Sequence, residues 1–115
     1  MSIAQHEVTT VTITLENFSA EVEQSTQPVL LEVWATWCIP CNLMKKAVAK
    51  AAEPVAGRAK VGLINVDQQP ELVEKLGVRG TPTFFIYVDG KVVETFSGMT
   101  SSGTLVSKLN EHLIR

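Results

Sequence analysis

This chain of 115 residues has two cysteines, and both stand in the run Trp37-Cys38-Ile39-Pro40-Cys41. A pair so isolated points to chemistry rather than to a disulfide framework. On a helix, residues three apart share a face with Cβ atoms about 5 to 6 Å apart, and a disulfide needs about 3.5 to 4.5 Å. Small adjustments therefore let Cys38 and Cys41 interconvert between dithiol and disulfide. At a helix start, unpaired backbone N–H groups and the positive end of the helix dipole favour a thiolate over a thiol. Cys38, nearer the loop, is the expected nucleophile, and Cys41, one turn in and less exposed, is expected to resolve the mixed disulfide. Zinc also uses this spacing, but a tetrahedral site needs two further ligands. His6 and His112 lie near opposite ends of the chain without paired spacing, so each is expected as a solvated surface residue and no metal site is assigned. A zinc bridging two copies stays open.

A strand and a helix must meet where the cysteines lie. Residues 29–35 form a nearly continuous apolar run after Pro28, as expected for a central strand covered on both faces. After the cysteines, Met44, Ala47, Val48, Ala51 and Val55 recur at helical spacing, while Lys45, Lys46, Lys50 and Glu53 occupy other faces. Pro40 suits the first turn of that helix, and Gly57 sits just beyond its expected end. Residues 60–66 read as a second parallel strand, less secure for containing Gly62.

The flanking elements complete the pattern. Residues 8–13 are β-branched and read as a strand, after which Thr14 can cap a short helix with Leu15, Phe18 and Val22 on one face. Pro70 starts and Gly77 stops a two-turn helix carrying Leu72 and Leu76. Residues 83–88 and 91–96 flank Asp89-Gly90 as a β-hairpin, and Ser101 or Ser102 can cap a last helix with Leu105, Leu109 and Leu113. The order is βαβαβαββα, an α/β domain with helices on both faces of a mixed sheet.

Composition limits what such a domain does. Hydrophobic residues make up 45% and charged residues 19%, which fits one globular domain over residues 1–115 with a short extension at 1–7. A net charge of -2 lacks the basic field that nucleic acid or an anionic membrane surface attracts. No apolar run reaches membrane-spanning length, and the first 33 residues contain no Lys or Arg and no apolar h-region, so no signal or transit peptide is expected. With only two cysteines, a reducing cytoplasmic setting is expected, where a disulfide is transient and catalytic.

The chain resembles the thioredoxin family from about Val8 to Leu113, through residues 33–38 with Pro40-Cys41, 65–68 and 77–83, together with Gly90 and Gly98. The resemblance implies the thioredoxin fold, a central mixed five-stranded sheet flanked by four helices. It implies a protein-disulfide reductase that binds no cofactor beyond its Cys38-Cys41 disulfide/dithiol, acts as a monomer on disulfide-containing proteins, and is recycled by a thioredoxin reductase. Thr81-Pro82 looks like the family's cis-proline loop, which offers backbone groups to an extended substrate; read alone, Pro82 is a strand-start proline. Trp37 is either core filler or surface beside the active site, and Gly98 and Met99 either a groove edge or an ordinary turn.

Glu32 interrupts a strand expected to be buried on both faces, so burial should raise its pKa and make it a candidate proton acceptor for Cys41. The other reading places Glu32 at an edge, facing solvent. The family commonly has Asp there. Ile39 stands where its reducing members usually carry Gly, stiffening the loop and adding apolar surface for substrates. Leu63 replaces a Lys that pairs with the buried acid in many members, and Lys46 replaces a helix-interior proline, which predicts a straighter helix. The alternative function is a binding or redox-sensing module whose cysteines gate partner affinity.

Overall fold

The computed structural model describes residues 10–113. Along the chain lie β1 (Thr10–Thr12), α1 (Ser19–Glu23, a single π-helical turn), β2 (Val29–Trp34), α2 (Ile39–Ala52) and β3 (Lys60–Asn65). They are followed by α3 (Pro70–Leu76), β4 (Thr83–Val88), β5 (Lys91–Ser97) and α4 (Ser102–Leu113). The sheet order is β1-β3-β2-β4-β5, with β3 parallel to β1 and β2, and with β4 antiparallel to β2 and β5. This is the expected mixed five-stranded sheet in the expected order.

The apolar run becomes the middle strand. Every residue of β2 except Trp34 is buried, and alternate side chains enter opposite cores because successive strand residues point to opposite faces. Leu30 packs with Met44, Val48, Phe84, Leu105 and Leu109, joining the sheet to α2 and α4. Val29, Leu31 and Val33 pack with Val22, Ile64 and Leu72, joining it to α1 and α3. Each fully buried aliphatic contributes about 1.5 to 3 kcal/mol, so the middle strand is the best-held platform for a site.

Two glycines answer to space and turn geometry. A Cβ on Gly62 would come 2.7 Å from Ile13 Cγ1 and 3.2 Å from Leu31 Cδ1, so β3 keeps a glycine because Ile13, just past β1, and Leu31 on β2 close over it. Asp89 and Gly90 take φ of 53° and 80°, as a tight hairpin turn demands, and a Cβ on Gly90 would lie 2.6 Å from the Glu23 carbonyl oxygen.

Several expectations need correction. Val8, Thr9, His6 and the expected extension at 1–7 lie outside the described residues. Ile13 lies past β1, although it is buried and its N–H donates to the Leu63 carbonyl at 2.8 Å. Thr14 caps the turn that leads into α1: its Oγ1 accepts the Asn17 N–H at 3.1 Å and its own N–H donates to Asn17 Oδ1 at 2.7 Å, the reciprocal bonds of a capping box, while α1 itself begins only at Ser19.

α2 stops at Ala52 rather than near Val55. Pro54 has no N–H for the Lys50 carbonyl, which accepts the Glu53 N–H at 3.4 Å instead, and Gly57 belongs to the turns that follow. The helix runs uninterrupted through Lys46. Ser101, not Ser102, caps α4 by accepting the Thr104 N–H at 3.1 Å. His112 is no solvated surface residue: its side chain is 15% exposed, its Nδ1 is buried without a partner among the described residues, and its Nε2 lies 3.5 Å from Glu94 Oε1.

Candidate active site

The cysteines sit where the middle strand hands the chain to a helix. β2 ends at Trp34, Ala35 is buried, and Cys38 is the N-cap of α2 with extended backbone angles. Its sulfur accepts the Cys41 N–H at 3.2 Å, so one of the orphan donors of the helix N-terminus points at Cys38. Pro40 falls in the first turn, where its missing N–H costs no helical hydrogen bond. Cys38 and Cys41 form a disulfide with Cα atoms 5.2 Å apart. Their difference in exposure is slight, 4% against 2%, and the asymmetry between them comes from position: one caps the helix and the other lies inside it.

Glu32 lies beneath this junction. It is 4% exposed and paired across the sheet with Leu63 on β3 and Phe84 on β4, which removes the solvent-facing edge reading. Burial pushes its pKa up to about 7. Among the described residues nothing forms a hydrogen bond or ion pair with its carboxyl group. Glu32, Trp34, Cys41, Lys45 and Leu63 line one cavity of about 280 Å³, so the acid and the inner cysteine share a space. Lys45 is held 5.0 Å above the Trp34 ring.

The surface above carries apolar groups. Trp37 is 66% exposed and donates its Nε1–H to Asp67 Oδ2 at 3.0 Å; it is not core filler. Ile39 is 72% exposed and Pro40 half-buried. Val33 pairs with Thr83, so the end of β2 that leads to the cysteines runs beside the start of β4, where Thr81-Pro82 is a cis bond and Pro82 is buried. The Pro82 carbonyl accepts the Gly98 N–H at 3.2 Å, joining those two segments, and Met99 beyond is 60% exposed. Sequence reasoning assigned no part to Asp67 or Lys45. Asp67 was visible within the stretch 65–68, but its bond to Trp37 spans 30 residues.

Comparison with known proteins agrees with this geometry. The family model described as Thioredoxin matches residues 9–111. Among curated relatives, thioredoxin of Griffithsia pacifica is 37% identical over 84% of this chain and 89% of its own. Thioredoxin 1 of Synechococcus elongatus is 36% identical over 88% and 94%, and thioredoxin of Rickettsia bellii 30% over 88% and 96%. With a cysteine pair closed at the end of the middle strand and the match running almost end to end, the chain belongs to the thioredoxin family of thiol-disulfide oxidoreductases.

Proposed function

We propose that this chain reduces disulfide bonds in protein substrates, with Cys38 attacking and Cys41 resolving. The observation that carries the reading is the Cys41 N–H directed at the Cys38 sulfur on the first turn of α2. In the dithiol form, that donor and the helix dipole favour negative charge on Cys38. The Cys38 thiolate attacks one substrate sulfur, forms a mixed disulfide and releases the other substrate sulfur as a thiolate. Cys41 then passes its proton to Glu32 and attacks the Cys38 sulfur. The Cys38-Cys41 disulfide forms, the second substrate sulfur leaves, and both substrate thiolates take up protons. Two electrons move from the chain to the substrate, and an external thioredoxin reductase returns them with two protons.

Glu32 suits the acceptor role because burial brings its titration to about pH 7, where it can take and return a proton. Trp37, Ile39 and Pro40 form the docking surface on one side of Cys38, with Thr81, Pro82, Gly98 and Met99 on the other. The chain works as a monomer in the cytoplasm, where reducing conditions keep substrates turning over.

A disulfide-reduction assay on wild type, Cys38→Ser and Cys41→Ser tests this. Both variants should lose turnover, and Cys41→Ser should accumulate a mixed disulfide on Cys38, read by mass spectrometry. A wild type that reduces nothing, with no adduct on Cys41→Ser, overturns the reading. Partner binding and biological effect that survive replacement of both cysteines would favour the binding-module alternative.

A further inference from the structure

The outward face of α2 continues the surface beside Cys38 in a way the exchange chemistry does not require. At 3.6 residues per turn, Ile39, Leu43, Lys46 and Lys50 fall within a narrow stripe opposite the buried residues Cys41, Met44, Val48 and Ala51. Ile39 and Leu43 are 72% and 66% exposed, and Lys46 and Lys50 are exposed beyond them. The stripe is therefore apolar next to the nucleophile and cationic farther along. α2 holds three lysines and no acidic residue, in a chain whose net charge is -2. Two large aliphatic side chains one turn apart in water have no role in the core of this fold.

We infer that this stripe docks disulfide substrates with an apolar residue next to the attacked cysteine and acidic residues farther along an extended segment, an inference that rests on the reductase reading. Spacing sets the pattern. Lys46 and Lys50 lie seven and eleven residues beyond Ile39, about 10 and 16 Å along the axis at 1.5 Å per residue. An extended segment advances about 3.3 Å per residue, so its acids fall about three and five residues from the apolar residue that covers Ile39. Burial of Ile39 and Leu43 anchors the segment, and the lysines select its charge and speed its approach.

The probes are short peptides with a Cys-Leu pair, the cysteine disulfide-linked to 5-thio-2-nitrobenzoate. Aspartate, lysine or serine stands three and five positions from the leucine, placed toward either terminus. Attack by reduced protein bonds Cys38 to the peptide sulfur and expels the coloured thiolate with the electron pair, so its absorbance gives the rate. In one of the two placements, the aspartate peptide should react roughly tenfold faster than the lysine peptide at low salt, the modest end of electrostatic steering. That preference should be strong at about 0.01 M salt and vanish at about 1 M, where the screening length falls from about 30 Å to about 3 Å. Lys46→Glu/Lys50→Glu should invert it.

Equal rates for the three peptides in both placements, with brisk release from each, overturn the docking inference and leave the reductase reading intact. No release from the serine peptide beyond that of Cys38→Ser removes the reductase reading and the docking inference together. Concentration-dependent dimerisation abolished by Leu43→Glu would give the face to a second copy and overturn the inference.

Discussion

Leu63 and Lys45 account for the state of Glu32. The β3 position directly opposite the acid holds an apolar side chain, and the one cation lining its cavity among the described residues sits over Trp34 instead. Burial is then unopposed by an opposite charge, and the carboxyl group titrates at about 7. A proton acceptor works as the carboxylate, so resolution should speed up as pH rises through about 7. Stopped-flow measurement of a preformed mixed disulfide on Cys38 reads this step. Glu32→Gln should slow it about 100-fold, as loss of general base catalysis does, and leave only the pH dependence of Cys41 itself. An unchanged rate and profile would remove Glu32 from proton transfer. At this scale the sequence was partly legible: a charge inside an apolar run announces itself, whereas the Trp37 to Asp67 bond joins residues 30 apart and leaves no local pattern.

Elements place those residues, and β3 shows how tightly. Gly62 pairs with Val11 on β1 and Leu31 on β2, and Ile13 lies over it closely enough to exclude a methyl group. Gly62→Ala should cost about 1 to 3 kcal/mol by overpacking, read as a lower urea midpoint at unchanged slope. A variant as stable as wild type would mean that Ile13 yields without loss. The glycine weakened the strand reading of residues 60–66 because propensity cannot report a close approach from a neighbouring strand. Elements with long-range burial in their pattern were legible: β2 by its apolar run, the hairpin by Asp89-Gly90, and α2 by its stripe. Ends set by local turns were not. The capped turn from Thr14 to Asn17 precedes α1 instead of belonging to it, and Pro54 stops α2 before the apolar spacing does.

The molecule as a whole carries the cost of a titrating acid in its middle strand. Glu32 is covered by β3, β4 and α2, so its ionisation is felt by the folding equilibrium and not only by the cysteines. Unfolded, it titrates at its ordinary 4.5; folded, at about 7. Between these values the folded chain holds a proton that the unfolded chain has released, so this contribution to stability is fully present below pH 4.5 and is lost as pH rises through about 7. The shift corresponds to about 3 kcal/mol in total. Glu32→Gln keeps the shape of the protonated acid without the ionisation. Urea unfolding of the two disulfide-intact proteins should therefore give similar stabilities at about pH 4.5, diverging to a Gln advantage of up to about 3 kcal/mol at about pH 8.5. A difference that stays constant with pH would mean that Glu32 ionises as easily in the folded chain as in the unfolded one.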